Sequence, residues 1–274
     1  MALHPEILSN LRHPTVAAVR RSLGQVGGGA PTAFIVEGAP RIAQALAAGA
    51  PVESVLFLEP VAGAEEQALL ASLSDQPAAC HLVARGVFFR LLDLGYETAT
   101  RVLATVRAEP LPPERLEELI DADACVLAGE RIQDPRNVGV LIRTAEALGV
   151  RAAVFGPGSA DPYCRAAVRS TTGSILRLPL VLPPSLPDAL AGLRSRGVRL
   201  VGSSARASLP CWAADLATPC AIIVGNETTG LSVEAQDLCD ALVTIPMQGD
   251  ASSLNVTVAG GALLYEVLRQ RACR

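Results

Sequence analysis

Residues 245–267, IPMQGDASSLNVTVAGGALLYEV, gather side chains well suited to holding a ligand. An apolar strand end, Val243-Thr244-Ile245, runs into Pro246, which cannot continue a strand ladder. A short loop then carries Gly249, Asp250, Ser252 and Ser253. After it, a helical pattern sets Val256, Ala259, Gly260, Leu263, Leu264 and Val267 on one face. A strand–loop–helix junction of this kind brings backbone N–H groups and small polar side chains to one spot, a natural ligand cradle. Ser253 and Asn255 also sit where a helix N-cap belongs.

Two further segments have comparable chemistry. In residues 222–232, IIVGNETTGLS, Gly225 follows the apolar run Ile222-Ile223-Val224. A glycine there lets a ligand approach the backbone closely, or simply makes a turn. Glu227 reads as a solvated loop acid or a charge at a helix start, or, with a function, as a group that faces a cation or orients the loop, the structural role being favoured. In residues 130–150, ERIQDPRNVGVLIRTAEALGV, Asp134-Pro135 reads as an N-cap followed by a first-turn proline. The helix after it buries Val138, Leu141, Ile142, Ala145 and Leu148, while Arg143 falls off that stripe.

Other chemistries lack their residues. The three histidines, His4, His13 and His81, all lie in the first third of the chain. The seven cysteines form no Cys-x-x-Cys and mostly occupy apolar runs, as small buried hydrophobes do. No metal site is therefore expected. There is no P-loop, and Gly27-Gly28-Gly29 precedes its strand instead of following one, which weakens a nucleotide-binding enzyme of ordinary topology.

Two α/β domains are expected to position these segments. Residues 14–107 alternate strand-like runs at 33–37, 55–58, 80–83 and 102–106 with helical ones at 40–48, 65–73 and 86–92. Residues 109–113 are a Pro-rich linker, with Pro110, Pro112 and Pro113 stiffening it. The first domain is thus 1–108 and the second 114–274. In the second, strand candidates at 124–128, 152–155, 175–180, 199–202, 221–224 and 241–245 alternate with helices, which predicts a largely parallel sheet. Ligands of such sheets sit beyond the strands' carboxyl ends, where all three segments fall.

In this order the three segments resemble the signature motifs of the SpoU (TrmH-like) RNA ribose methyltransferases, of the SPOUT class. The first motif's Asn, Gly and Arg correspond to Asn137, Gly139 and Arg143. Residues 225–232 resemble its Gly-x-Glu-x-x-Gly-Leu-Ser, and 245–267 its last motif. Residues 37–41, with Glu37, Gly38 and Arg41, resemble the start of the ribosomal-protein-like substrate-binding domain that precedes many such catalytic domains.

The resemblance implies a deep C-terminal trefoil knot, which sequence physics alone would not propose. It implies S-adenosyl-L-methionine as methyl donor, contacted by Gly225, Ile245, Met247 and Leu254. It implies a catalytic group of Arg143, Asn137, Glu227, Ser253 and Asn255 acting on a ribose 2′-hydroxyl. Arg165, Arg169 and Ser170 match the family's Arg-x-Ser-x-Gly stretch and, with Arg41, are expected to bind RNA; a plain loop is the competing reading of 165–174. A homodimer with sites completed across the interface is implied as well. Arginine side chains ordinarily keep their proton at neutral pH, and the second domain has no histidine. Arg143 would therefore either lose its proton on desolvation or, at lower cost, stay cationic and stabilise the developing alkoxide.

The bulk composition is compatible with that picture. Half of the 274 residues are apolar, enough for a sizeable core. A net charge of −4 excludes a generic polyanion coat but leaves room for a local basic patch, in which every cation is an arginine. No apolar run is long enough to span a bilayer and no signal-peptide layout opens the chain, so a cytoplasmic protein is expected. Ribosomal RNA is favoured over transfer RNA as target. The alternative is a non-catalytic RNA-binding or ribosome-assembly protein on the same fold.

Overall fold

The computed structural model describes residues 7–24, 33–73, 78–92 and 100–273. Gly27-Gly28-Gly29 and His4 lie outside them. The chain divides into two compact units: Met1–Glu109 with Tyr163–Leu176, and Pro110–Pro162 with Arg177–Arg274.

The first unit begins with β1 (Ile7–Leu8), α1 (Pro14–Ser22), β2 (Ala33–Glu37), α2 (Ala39–Ala47) and β3 (Val52–Leu58). It continues with α3 (Ala64–Ser72), β4 (Ala79–Val83), α4 (Arg85–Leu92) and β5 (Val102–Arg107). Its five strands form one mixed sheet in the order β1-β4-β3-β5-β2, with β5 antiparallel to both neighbours. Phe57, Leu56, Leu103 and Phe88 are fully enclosed around that sheet.

The second unit opens with β6 (Cys125–Gly129), α5 (Pro135–Ala147) and β7 (Ala152–Phe155). The chain then supplies α6 (Arg165–Thr171) to the first unit before resuming with β8 (Leu180–Val181), α7 (Leu186–Ser195) and β9 (Arg199–Ser203). It ends with β10 (Leu209–Pro210), β11 (Cys220–Val224), α8 (Val233–Leu238), β12 (Ala241–Thr244) and α9 (Val256–Ala272). Seven strands, all parallel, follow the order β10-β12-β9-β11-β6-β7-β8. The sequence of β6 and β11 suits this placement, because an unbroken apolar run is what a strand covered on both faces requires. Both strands are wholly buried. Among the described residues, no helix is long and apolar enough to cross a membrane.

Two sequence expectations change. The strand expected at 175–180 is a 3-10 turn at Ser174–Leu176, followed by the two-residue β8. Pro179 has no N–H for a ladder, and its carbonyl instead accepts from the Ala153 N–H at 3.0 Å. The segment Tyr163–Leu176, read from sequence as part of the second domain, belongs to the first compact unit. There the Tyr163 ring lies 5.3 Å from that of Phe34, and the Arg165 guanidinium pairs with the buried Glu37 carboxylate.

Candidate active site

The strand order of the second unit creates its binding edge. From β6 the chain moves outward to β7 and β8, while from β11 it departs to the opposite side, toward β12. The β6/β11 boundary is therefore a topological switch point; the loops leaving its two strands are tied together by Glu227 and Asn226, and the open space lies on the β9–β12 side of β11. The loop after β6 ends on the first segment's Asp134, the N-cap of α5, and Asn137 stands in the first turn of that helix; the loop after β11 carries Gly225 and Glu227.

A cavity of about 480 Å³ opens at this edge. Its walls are the turn after β9, the loop after β11, the loop after β12 and the first turn of α9. Gly225, Glu227, Ile245, Met247, Ser253 and Leu254 all line it. This volume lies within the ~300–1,000 Å³ range of small-molecule sites. Ile245, Met247 and Leu254 give it an apolar wall fit for a flat ring.

Of the two readings of Gly225, close ligand approach and a turn, the backbone geometry gives the turn its own reason. A Cβ there would lie 2.3 Å from the Gly230 carbonyl carbon and 2.4 Å from the Leu231 nitrogen. The glycine is required by its own returning loop, which folds back through reciprocal backbone bonds between Asn226 and Gly230 at 3.1 and 2.9 Å. Asn226 holds this loop together. Its side-chain Oδ1 accepts from the N–H groups of Thr228 and Thr229, and its side-chain Nδ2 donates to the Arg131 carbonyl at 2.9 Å.

Glu227 fastens the second segment to the first. Its carboxylate accepts from the Asn137 amide at 2.8 Å and from the N–H groups of Gln133 and Asp134 at 3.2 and 3.3 Å. Partial burial works to raise its pKa, but these hydrogen bonds outweigh it and hold the carboxyl below its usual range. Asn137 in turn accepts from the Asn255 amide at 3.5 Å. Asn255 is the N-cap of α9, accepting from the Thr257 N–H at 2.8 Å. Glu227, Asn137 and Asn255 thus form one hydrogen-bonded line through all three segments. Ser253 does not cap the helix; it faces the cavity.

Arg143 is exposed on α5 and makes no hydrogen bond or ion pair to a described residue. Neither it, Asn137 nor Asn255 lines the cavity. α5 is placed by Asp134, which caps it as expected, and by its buried stripe of Val138, Leu141, Ile142 and Ala145. Leu148, expected in that stripe, is half-buried at the C-cap.

The expected RNA-binding residues gather in the first unit. Glu37 is 5% exposed, and a buried carboxylate needs a cation. Arg165 supplies it through Nε to Oε1 at 2.7 Å and Nη2 to Oε2 at 3.2 Å, while its Nη1 donates to the Leu92 carbonyl. That guanidinium is committed internally. Arg169 is exposed and only 3.8 Å from Glu37, and Arg41 is exposed with one long bond to the Glu37 carbonyl. The Ser170 hydroxyl donates to Ala166 in its own helix.

Sequence reasoning passed over Asn226 and the cavity-lining turn Ser203-Ser204-Ala205-Arg206. The turn directly follows a predicted strand, so the strand-end rule applied to the three segments would have found it.

Residues 124–265 match the SpoU rRNA methylase family. A 23S rRNA (uridine(2479)-2'-O)-methyltransferase of Streptomyces viridochromogenes is 37% identical over 189 residues, 66% of this chain and 65% of that protein. A 23S rRNA (guanosine-2'-O-)-methyltransferase RlmB of Xanthomonas campestris pv. campestris is 39% identical over 159 residues, 58% of this chain and 64% of that one. The chain spans a little under two thirds of the length of these relatives. The crystal structure of the SpoU methyltransferase AviRb from S. viridochromogenes, in complex with the cofactor AdoMet, matches with a TM-score of 0.81 at 28% identity. That match covers 96% of this chain and 100% of the other.

Proposed function

Because the chain belongs to the SpoU rRNA methylase family, we propose that it transfers a methyl group from S-adenosyl-L-methionine to a ribose 2′-hydroxyl in structured RNA. The observation that carries this reading is the line Glu227–Asn137–Asn255, which ties the three motif segments into one rigid rim beside the cavity. Ribosomal RNA is favoured over transfer RNA, since the two relatives above are 23S rRNA 2′-O-methyltransferases.

The cavity residues fit the cofactor. Ile245, Met247 and Leu254 would take the adenine ring, and the backbone around Gly225 would take its polar edges. When bound, the cofactor supplies a methyl group already activated on a sulfonium. The task left to the chain is to place a hydroxyl in line with that methyl and to favour negative charge on its oxygen. Arg143 is suited to the second role, as an exposed cation with no partner among the described residues. Glu227 holds Asn137 and the loop before α5 in place, so that the start of the helix carrying Arg143 is fixed. Asn255 and Ser253 set the α9 end of the rim.

Arg143 does not line the cavity of its own chain, which supports a homodimer in which it serves the partner's site. The outward face of α9 supplies an apolar surface for such pairing: Val258, Tyr265 and Leu268 are 54%, 61% and 45% exposed. Gly260 and Gly261 are used within the chain instead, since Cβ atoms there would meet Leu141 and Thr144 of α5. The first unit we read as the RNA reader, through Arg41, Arg169 and Ser170, with Arg165 holding that surface in shape through Glu37. We also read the second unit as knotted; the return of α9 past β9 to pack on β11 and α5 is consistent with that. Its place of work would be the cytoplasm.

The test is methyl transfer from labelled S-adenosylmethionine to ribosomal RNA from cells lacking this protein, with methylated riboses mapped afterwards. One modified 2′-hydroxyl is expected. A folded, cofactor-binding protein that methylates no RNA would establish the non-catalytic alternative.

A further inference from the structure

Of the residues lining the cavity, two carry charged side chains, Glu227 and Arg206. Glu227 is engaged with Asn137 and two backbone N–H groups of the loop before α5. Arg206 is exposed, and its guanidinium makes no hydrogen bond or ion pair to a described residue. The backbone of the turn that carries it is nevertheless pinned. The Ser204 N–H donates to the Val243 carbonyl at 2.9 Å, which ties the turn after β9 to β12. The Arg206 N–H donates to the Ser204 hydroxyl at 3.3 Å, and the Ala207 N–H to the Ser204 carbonyl at 3.2 Å. A tight turn, pinned to the sheet, thus presents at the cavity wall a cation with no partner among the described residues.

S-adenosylmethionine carries one anionic group, the carboxylate of its amino-acid tail, alongside an ammonium and a sulfonium. A cation at the wall suits only the first of these. We propose that Arg206 anchors the cofactor's carboxylate and gives this pocket its preference for an intact amino-acid tail. This assignment rests on the methyltransferase reading above. It concerns a residue outside the three motif segments. A phosphate of the RNA substrate is the rival partner for this guanidinium, but membership of the cavity wall favours a ligand held inside it. Arginine is suited to this task, since its planar fork can meet both carboxylate oxygens.

The test is calorimetric binding of two compounds without RNA: S-adenosylhomocysteine, and its decarboxylated analogue, which keeps the adenosine, sulfur and amine. Wild type is expected to bind the first more tightly. Arg206→Ala should weaken S-adenosylhomocysteine by about tenfold, a modest loss for a charge-assisted contact because the site is exposed. The analogue should change by less than about twofold, so the preference disappears. Arg206→Lys should restore part of it, and added salt should erode the preference of the wild type. Thermal stability should be unchanged in both variants, as is usual for exposed positions. If wild type binds neither compound, the cofactor reading falls and this assignment with it. If it binds both and Arg206→Ala leaves their ratio unchanged, the reading stands and Arg206 is not the anchor. Weakened RNA binding with an unchanged ratio would give the residue to the rival partner.

Discussion

Replacing Gly225 by alanine tests the loop that builds the cavity floor. The added Cβ would stand 2.3, 2.4 and 2.6 Å from the Gly230 carbon, the Leu231 nitrogen and the Gly230 oxygen, where ordinary contact begins near 3.4 Å. All three are backbone atoms, so no rotamer change relieves the overlap. Residues 226–230 must retreat by about 1 Å, a displacement comparable with those behind overpacking costs of ~1–3 kcal/mol. The retreat also strains the paired Asn226–Gly230 bonds and the Asn226–Arg131 bond, each worth roughly 0.5–1.5 kcal/mol. A total near 3 kcal/mol lowers Tm by roughly 6–12 °C at about 2–4 °C per kcal/mol. Scanning calorimetry measures this directly. Calorimetry with S-adenosylhomocysteine should show cofactor affinity lost in parallel, since the displaced loop lines the cavity. Gly249→Ala is the control: a Cβ there meets nothing within 4 Å, so its stability should stay within about 0.5 kcal/mol of wild type. A Gly225→Ala protein melting within about 1 °C of wild type would refute the close-packed loop.

Arg143→Ala should leave Tm nearly unchanged, because the side chain is exposed, while single-turnover methyl transfer falls by about 10²–10³; near-normal turnover removes Arg143 from the chemistry. Glu227→Gln should lower Tm at neutral pH by loosening the grip on Asn137, Gln133 and Asp134. The carboxyl of Glu227 is held below its usual range, so its contribution is fully present above the unfolded value near ~4.3 and is lost as pH falls through the lower folded value. The Tm gap between wild type and Glu227→Gln should accordingly be constant above about pH 5 and close on acidification, and a gap that persists at low pH would mean the charge is not what holds the loop. Tyr265→Glu with Leu268→Glu should convert a dimer to a monomer in light scattering at unchanged secondary structure; a monomeric wild type would instead dismiss α9 as the pairing face.

Much of the binding edge was legible because strand ends are marked locally. Pro246, the Asp134-Pro135 pair and Gly225 each punctuate an apolar run, and all three do so where the structure has a strand end or a helix start. The periodicity around Arg143 identified the helix face it leaves. Asn255 as a helix cap was also readable, whereas its bond to Asn137 was not, because 118 residues separate them and only the strand order brings them together. The order itself, with β11 beside β6 and β12 beyond β9, is set by non-local packing that no window of sequence reports. The same limit explains Arg165. An arginine in a hydroxyl-rich loop looks like a phosphate ligand until the buried acid that it neutralises, Glu37, is found in a strand far upstream.

That last pairing bears on how the protein is made. Glu37 and Arg165 are separated by 128 residues, and Phe34 meets Tyr163 over a similar span. At synthesis rates of about 5–20 residues per second, roughly 6–26 s pass between the emergence of the acid and that of its cation. Through that interval β2 has no α6 to cover it, and a carboxylate destined for burial has to remain hydrated. The amino-terminal unit, though translated first, is therefore completed only after β6, α5 and β7 have left the ribosome. A chain interrupted anywhere before Leu176 carries an unfinished first unit, however much of its sheet is already present.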